Sequence, residues 1–458
     1  MADTAEDRRT STQRPLRAPW VGLAVVLLVV AAAFLVPRLT GWEVSSRAPR
    51  SASDREVAPL HGLWEPKLLG PGTLPAVVIA LLSFRYAQGL AERLAWRPLL
   101  ALGYVAGLAW MLALALVDGT AGLSRQLGNP YEYLRTAREV TDVQGLLTTW
   151  TEHLPIDSVD AFVTHVSGHP PGALLFFVGL VRLGLGGDLA AGVVVTALAA
   201  STAVAVMVTL RTLGHEDVAR RAAPFLVLTP AAVFMAVSAD GLFAAVAAWG
   251  LACLAIGATR PNRAHAVAWS ALAGLLLGVL VMMSYGLPLM GLLAVAVLFS
   301  ARSWLPLPVA AGTALLVVLG FAVAGFAWWE AYPLLNDRYW DGIAADRPAA
   351  YWMWANLALL ALTGGPLLGA GLARVAVDVR ALWRDRSTVL LVVAASAAAV
   401  LAADLSRMSK AEVERIWVPF VPWLLISCTL LPQRWRRWGL GLQLLTALLV
   451  QHLFYTAW

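Results

Sequence analysis

Long apolar runs, separated by short arginine-bearing connectors and a few longer polar stretches, make up most of the chain. Runs of about 17–25 apolar residues indicate membrane-crossing helices, because only helices and closed barrels satisfy their own backbone in lipid. Thirteen candidate spans fall near 20–36, 73–90, 98–117, 188–210, 222–237, 242–259, 266–283, 287–301, 305–328, 351–372, 387–403, 416–431 and 439–456. The expected fold class is an all-α polytopic membrane protein, a bundle of about 13 transmembrane helices. A further apolar stretch, 171–186, is short and carries Arg182. Residues 1–17 read as a polar, disordered cytoplasmic tail, and 18–458 as a single integral membrane domain. The first run lacks a convincing cleavage site and reads as a retained helix.

The connectors set an orientation. They hold Arg93 and Arg97, then Arg211, Arg220 and Arg221, then Arg260 and Arg263, Arg302, Arg374 to Arg386 and Arg434 to Arg437. Short basic loops stay in the cytoplasm. A cytoplasmic N-terminus places every one of these inside, provided that 171–186 enters the membrane and returns to the side it left. Most carboxylates then lie outside, and any acid–base chemistry with them. The expected location is the cell membrane, with many crossings and an active site on the outer face.

Composition narrows the classes further. The 458 residues are 59% hydrophobic and 14% charged, against about 25% charged in soluble domains. Cys253 and Cys428 both lie in apolar runs, so neither a disulfide framework nor cysteine metal-ligand spacing is available. The net charge of +6 belongs largely to inner-loop arginines and does not imply nucleic acid. Neither an inverted repeat nor an unpaired charge in mid-span is evident, which weakens a transporter reading.

The polar stretch from 118 to 170 is the expected catalytic loop. Glu132 stands between Tyr131 and Tyr133, after a turn at Asn129-Pro130. Leu134, Ala137, Val140, Val143, Leu146 and Leu147 follow at helical spacing, which predicts an amphipathic helix along the interface. A carboxylate desolvated there would have a raised pKa and suit a general base. His165 and His169 have the spacing of a metal pair, but Gly168 and Pro170 break the helix that would align them. His169 reads instead as a polar residue at the mouth of an apolar helix, placed to contact a phosphate or a sugar hydroxyl. Asp240 either caps the next helix or faces the same cavity as Glu132. Aromatic residues from Trp328 to Trp354 form an interfacial belt around Arg347, and Arg407, Lys410 and Arg415 gather in another outer loop. Such cations suit an anionic lipid phosphate.

These strings resemble the GT-C superfamily of polytopic glycosyltransferases, through Tyr131-Glu132-Tyr133 and His169-Pro170-Pro171, with Asp240 in the place of a second acid. A narrower likeness, to a group of actinobacterial integral membrane proteins of this superfamily, lies in G-N-P-Y-E-Y-L, G-H-P-P-G-A-L-L-F-F, D-R-P-A-A-Y-W-M-W-A-N-L and E-V-E-R-I-W-V-P-F-V-P-W-L-L, across residues 128 to 425. The resemblance implies a polyprenyl-phosphate-sugar donor, membrane lipid around it, and an envelope glycan or lipoglycan acceptor. For the narrower group it implies methylthioxylose passed from decaprenyl phosphate to mannose-capped lipoarabinomannan. It also implies Glu132 and Asp240 as catalytic residues, and Asn129, Tyr131, Tyr133, His169, Arg347, Lys410 and Arg415 as substrate-binding ones. Many relatives carry paired acids in the first motif, whereas this chain has Asn129 and a single Glu132, so a divalent cation is an open cofactor. A glycolipid flippase and a non-catalytic envelope-assembly protein remain the alternative functions.

Overall fold

The computed structural model describes residues 17–47 and 56–456; the expected tail therefore lies, except for Arg17, outside the described residues. The described residues are mainly helical, with almost no sheet. Its main helices begin with α1 (Arg17–Thr40), α2 (Thr73–Arg93), α3 (Trp96–Ala115), α4 (Tyr133–Glu139), α5 (Pro171–Arg182), α6 (Asp188–Thr212) and α7 (Ala239–Thr259). They continue with α8 (Arg263–Val281), α9 (Pro306–Val323), α10 (Ala349–Gly364), α11 (Leu367–Arg384), α12 (Thr388–Leu405), α13 (Val413–Ile416) and α14 (Gln433–Leu453). Among the described residues, eight helices are long and apolar enough to cross a membrane: α1, α2, α3 with its 3-10 extension to Asp118, α6, α7, α8, α9 and α12. The number is nine if α10 and α11, bent by 107° at their junction, count as one broken span.

That break has a local cause. Gly365 has φ +77°, a conformation that side chains other than glycine rarely adopt, and Pro366 offers no amide hydrogen. Backbone groups freed in an apolar interior must find partners. Gln443 of α14 supplies them, donating to the Gly364 carbonyl and accepting from the Leu367 amide at 3.3 Å. A Cβ on Gly365 would come within 1.9 Å of the Gln443 amide oxygen.

The other expected spans are shorter or interrupted. The run at 222–237 divides into Glu216–Val227 and the single turn Ala232–Met235, separated by Thr229-Pro230. The runs at 287–301 and 416–431 appear as the short helices Leu287–Ala301 and Val421–Leu430. The run at 439–456 lies in α14, which ends at Leu453. The chain then forms a strand, β2 (Phe454–Thr456), antiparallel to β1 (Gly62–Trp64) with Gly62 opposite Thr456.

Helix α5 has 12 residues and so is about 18 Å long, short of the roughly 30 Å of hydrocarbon. Its two ends meet the same end of the bundle. The Gly172 amide donates to the Met282 carbonyl, just past α8. Arg138 of α4 donates to the Gly186 carbonyl and pairs with Asp188, just beyond α5.

Small residues let the helices approach closely, as is usual where apolar burial gives no preference for helix over lipid. At the α1–α11 crossing, a Cβ on Gly22 would lie 2.1 Å from the Gly369 carbonyl oxygen, and one on Gly369 would lie 2.4 Å from the Gly22 oxygen. Gly274 and Gly278 of α8 meet Ala310 and Ala314 of α9 in the same way. Replacing Gly369 by leucine forces this crossing apart. The expected cost is about 1–3 kcal/mol, read as a lower thermal unfolding midpoint of the detergent-solubilised chain, whereas Gly312→Leu, with open space at its Cβ, leaves the midpoint near that of the parent.

Candidate functional site

At the end of the bundle that carries the long loops, polar side chains from six separate segments converge in the interior. Glu132 is the last extended residue before α4, its side chain making no cap bond to the helix, and it is 2% exposed. Its Oε1 accepts from Gln126 Nε2 at 2.7 Å and lies 3.5 Å from His165 Nε2. Its Oε2 is equally buried and has no hydrogen-bond partner. The next residue, Tyr133, stacks on Phe177 of α5 at 5.2 Å, and its hydroxyl is also buried without a partner. The helix expected beyond Glu132 is broken in two. Residues Val143–Thr148 form a second piece, because Val140 and Asp142 are extended. A β-branched pair followed by Asp favours such a break.

The centre of the cluster is Arg415 of α13, 4% exposed. It donates from Nη1 to Asp240 Oδ2 at 2.8 Å and from Nη2 to His165 Nδ1 at 2.9 Å. A guanidinium has no acceptor atom, so His165 must accept at Nδ1. The neutral ring then carries its proton on Nε2, which faces Glu132. Asp240 does not itself cap α7. Ser238 does so, accepting from the Asp240 amide at 3.1 Å, and its hydroxyl donates to the Asp240 carboxylate at 3.3 Å. That frees the carboxylate for Arg415. His169 donates from Nδ1 to the His165 carbonyl at 2.9 Å, which leaves Nε2 as the acceptor in its neutral form. The ring packs edge-on to Tyr133 and against Phe243, both at 5.7 Å.

A second layer encloses the first. Glu412 Oε1 accepts from Arg347 Nη2 at 3.0 Å and lies 3.8 Å from His61, while its Oε2 is 3.7 Å from Arg415. Arg347 also donates to the carbonyls of Lys410 and Ser45, at 2.6 and 3.3 Å. The Lys410 ammonium donates to the carbonyls of Ala344 and Arg347 and lies over the Trp340 ring. Lys410 thus clamps one loop to another.

The expected residues therefore divide. Glu132, Tyr133, His169, Asp240 and Arg415 meet in one cluster, with Arg347 one contact away through Glu412. Asn129 and Tyr131 stay apart: the Asn129 side chain accepts from the Tyr131 amide, and the Tyr131 side chain is 59% exposed. Arg407 is exposed as well. Gln126, His61, Glu412 and Glu414 were not foreseen, and His165 was weighed only as a metal ligand. No spacing in the sequence links His61 to Glu412 or Gln126 to Glu132. As for a divalent cation, its ligands here would be Glu132 and Asp240, but Asp240 is already neutralised by Arg415, so the donor set does not fit one.

Backbone strain brackets the cluster. Val237 has φ 61°, and Ala411 and Glu412 have φ 68° and 60°. Positive φ is unusual for any of these residues and most costly for a β-branched one. Each strained segment lies three residues before a member of the central ion pair, Asp240 or Arg415.

Burial sets the electrostatics. It pushes the Glu132 carboxyl up to about 7, with the nearby Asp240 adding to the rise and Arg415 opposing it. Glu414 is likewise raised to about 7 by burial, with Glu412 adding and the backbone amides of Glu414 and His61 opposing. Burial would also raise Glu412, but Arg347, His61 and Arg415 overcome it and hold that carboxyl well below the ordinary range. Burial and the adjacent Arg415 keep His165 neutral.

Two outcomes follow from these shifts. Between the ordinary 4.5 and about 7, the folded chain keeps a proton on Glu132 that the unfolded chain has lost, so stability falls as pH rises through that window. Glu132→Gln removes this loss. Between pH 5 and 8 the variant should lose on the order of 3 kcal/mol less than the parent in thermal unfolding. Removing Arg415 acts oppositely, because it leaves Asp240 charged and buried. Arg415→Met is expected to cost about 3–5 kcal/mol, part of which returns in the double variant with Asp240→Asn, measured by the same unfolding assay.

Compared with family models, with curated proteins and with solved structures, the chain finds no match in any of the three.

Proposed function

We propose that this chain is a polyprenyl-phosphate-sugar-dependent glycosyltransferase that acts at the outer face of the membrane. The observation that carries the reading is the buried, unpartnered Oε2 of Glu132, on a carboxyl whose pKa lies near neutrality. A general base works best when its pKa is close to the working pH. His165 and Gln126 hold the other oxygen, so Oε2 is the one free to take a proton.

In this reading the acceptor hydroxyl gives its proton to Glu132 Oε2 while its oxygen attacks the anomeric carbon of the donor. The bond from that carbon to the phosphate oxygen breaks through an oxocarbenium-like state, and the polyprenyl phosphate leaves with the electron pair. A single displacement inverts the anomeric centre. Arg415 and Arg347 counter the charge that develops on the leaving phosphate. Arg415 keeps its place because Asp240 holds it, and His169 offers Nε2 to a sugar hydroxyl.

The membrane arrangement belongs to the same proposal. The arginine connectors face the cytoplasm, so the Glu132 cluster faces outward, where nucleotide sugars are not supplied and a lipid-borne donor is needed. In this proposal the shorter and broken helices join the eight or nine long ones in a GT-C-like bundle of about thirteen spans. Contacts at the two ends of α2 agree with its running between opposite faces: Arg220 bonds the carbonyls of Ala91 and Leu94 at one end, and Thr73 meets His452 at the other. The choice of methylthioxylose as sugar, and of mannose-capped lipoarabinomannan as acceptor, rests on the sequence strings alone.

Transfer from a polyprenyl-phosphate sugar, measured in membranes with equal amounts of each protein, tests the reading. Glu132→Gln is expected to reduce the rate at least about 100-fold, with donor still bound. Near-parental transfer by a folded Glu132→Gln protein would overturn the base assignment.

A further inference from the structure

An apolar cavity of about 370 Å³ lies between α2, α3 and the helix Glu216–Val227, and that volume is within the roughly 300–1,000 Å³ of small-molecule sites. Small residues on all three helices leave the space: Ala87 and Ala91, Gly103 and Ala106, and Ala223. Of the fifteen residues in its lining, only Ser83 and Tyr86 carry a polar side-chain atom, so its natural occupant is hydrocarbon. Leu82 and Tyr86, 54% and 51% exposed, stand at a mouth on the outer surface of the bundle. The lining takes only the first half of α3, from Leu99 to Ala106; the far end of α3 leads to the loop of Gln126 and Glu132. The cavity is therefore remote from the Glu132 cluster.

The end of the cavity nearest Ala91 is basic. Arg220 donates to the Ala91 and Leu94 carbonyls at 2.9 and 2.8 Å, and Arg211 lies over the Trp96 ring at 4.6 Å. The charges of Arg221 and Glu92 both act on Arg436. Three segments thus meet there, 92–97, 211–221 and 434–437. They hold eight arginines (two, three and three) against three acids, Glu92, Glu216 and Asp217. Glu216 is already matched by Arg211 and Arg220, and Asp217 by Arg221, so the excess is positive. The Arg221 Nε is buried without a hydrogen-bond partner.

Arg85 adds a cation at the mouth. It is exposed on α2, with its guanidinium 5.0 Å from the centroid of the Tyr86 ring, and it has no ion pair or hydrogen bond among the described residues. A cation on a lipid-facing helix is stable only where it meets an anion or reaches the headgroup layer. Arg85 lies eight residues from Arg93, about 12 Å along the helix, and its long stem can lean toward the basic end.

We propose that this cavity is a binding site for an anionic glycerophospholipid: one acyl chain fills the space between α2 and α3, and Arg85 with the arginines at the basic end holds the phosphate. Guanidinium groups donate to phosphate oxygens at fixed geometry, and the positive excess disfavours a headgroup that carries its own cation. The Tyr86 hydroxyl, at the mouth, can donate to an ester carbonyl of the glycerol. This site does not rest on the glycosyltransferase reading, because it lies away from Glu132 and takes no part in transfer.

Native mass spectrometry of the delipidated full chain in detergent, titrated with dioleoylphosphatidylglycerol, dioleoylphosphatidylcholine or decaprenyl phosphate, tests the site. The parent is expected to retain one phosphatidylglycerol at least about tenfold more tightly than phosphatidylcholine. Arg85→Gln should weaken phosphatidylglycerol about fivefold and leave phosphatidylcholine near the parental value. Ala106→Leu, which puts a side chain into the cavity on a residue that favours helix, should weaken both lipids. Arg263→Gln, which removes an exposed arginine outside the cavity lining, should bind as the parent does. Equal retention of the two phospholipids by the parent overturns the headgroup assignment. An equal loss in Arg85→Gln and Arg263→Gln shows attraction to charge in general and overturns the site. Tighter binding of decaprenyl phosphate than of phosphatidylglycerol overturns the glycerophospholipid class. If Ala106→Leu fails to fold, Arg85→Gln still decides, since its exposed side chain has no bonded partner to lose. None of these readouts involves transfer, so normal transfer by Glu132→Gln would remove the base and leave this site standing.

Discussion

One buried guanidinium organises the loop-rich end of this molecule. Arg415 holds Asp240 with one nitrogen and His165 with another, and it is the principal positive neighbour of Glu132. A buried cation is tolerated only where its donors are satisfied and its charge is matched. Here the matching carboxylates come from chain positions far apart, so the ion pair also fixes the tertiary arrangement. Because Arg415 must donate to His165, the histidine tautomer follows, and with it the direction of the one ring N–H that faces Glu132.

The surrounding layer keeps that arrangement from relaxing. Arg347 and Lys410 spend most of their donors on backbone carbonyls, which joins the segment after α1, the loop before α10 and the loop before α13. Positive φ at Val237, Ala411 and Glu412 indicates that these short segments are held in conformations they would not choose alone. Strain of this kind persists only when the neighbouring contacts over-determine the geometry. The four charges of Asp240, Arg415, Glu412 and Arg347 make those contacts.

In the apolar body of the bundle, backbone groups freed by a break are matched by a side chain from a neighbouring helix. The broken pair α10–α11 turns through 107° with its exposed backbone bonded by Gln443 from α14. Where helices meet closely, as α1 does α11, glycine removes the side chains that would hold them apart. The bundle can therefore include kinked and shortened helices.

Apolar periodicity by itself determined the class of this protein. Runs such as 188–210 and 242–259 can be satisfied in lipid only as helices, and they appear as α6 and α7. It did not determine which runs are straight spans, because the breaks at Thr229-Pro230 and Gly365-Pro366 depend on which neighbour accepts the freed backbone. Glu132, His169 and Asp240 were legible as candidates because polar residues are conspicuous in an apolar chain. Their partners were not. His165 donating toward Glu132, Gln126 holding the same oxygen, and Glu412 bridging Arg347 to Arg415 are contacts between segments that sequence spacing does not relate. Only folding brought them within bonding distance, and only the burial that came with it moved the Glu132 carboxyl toward neutrality.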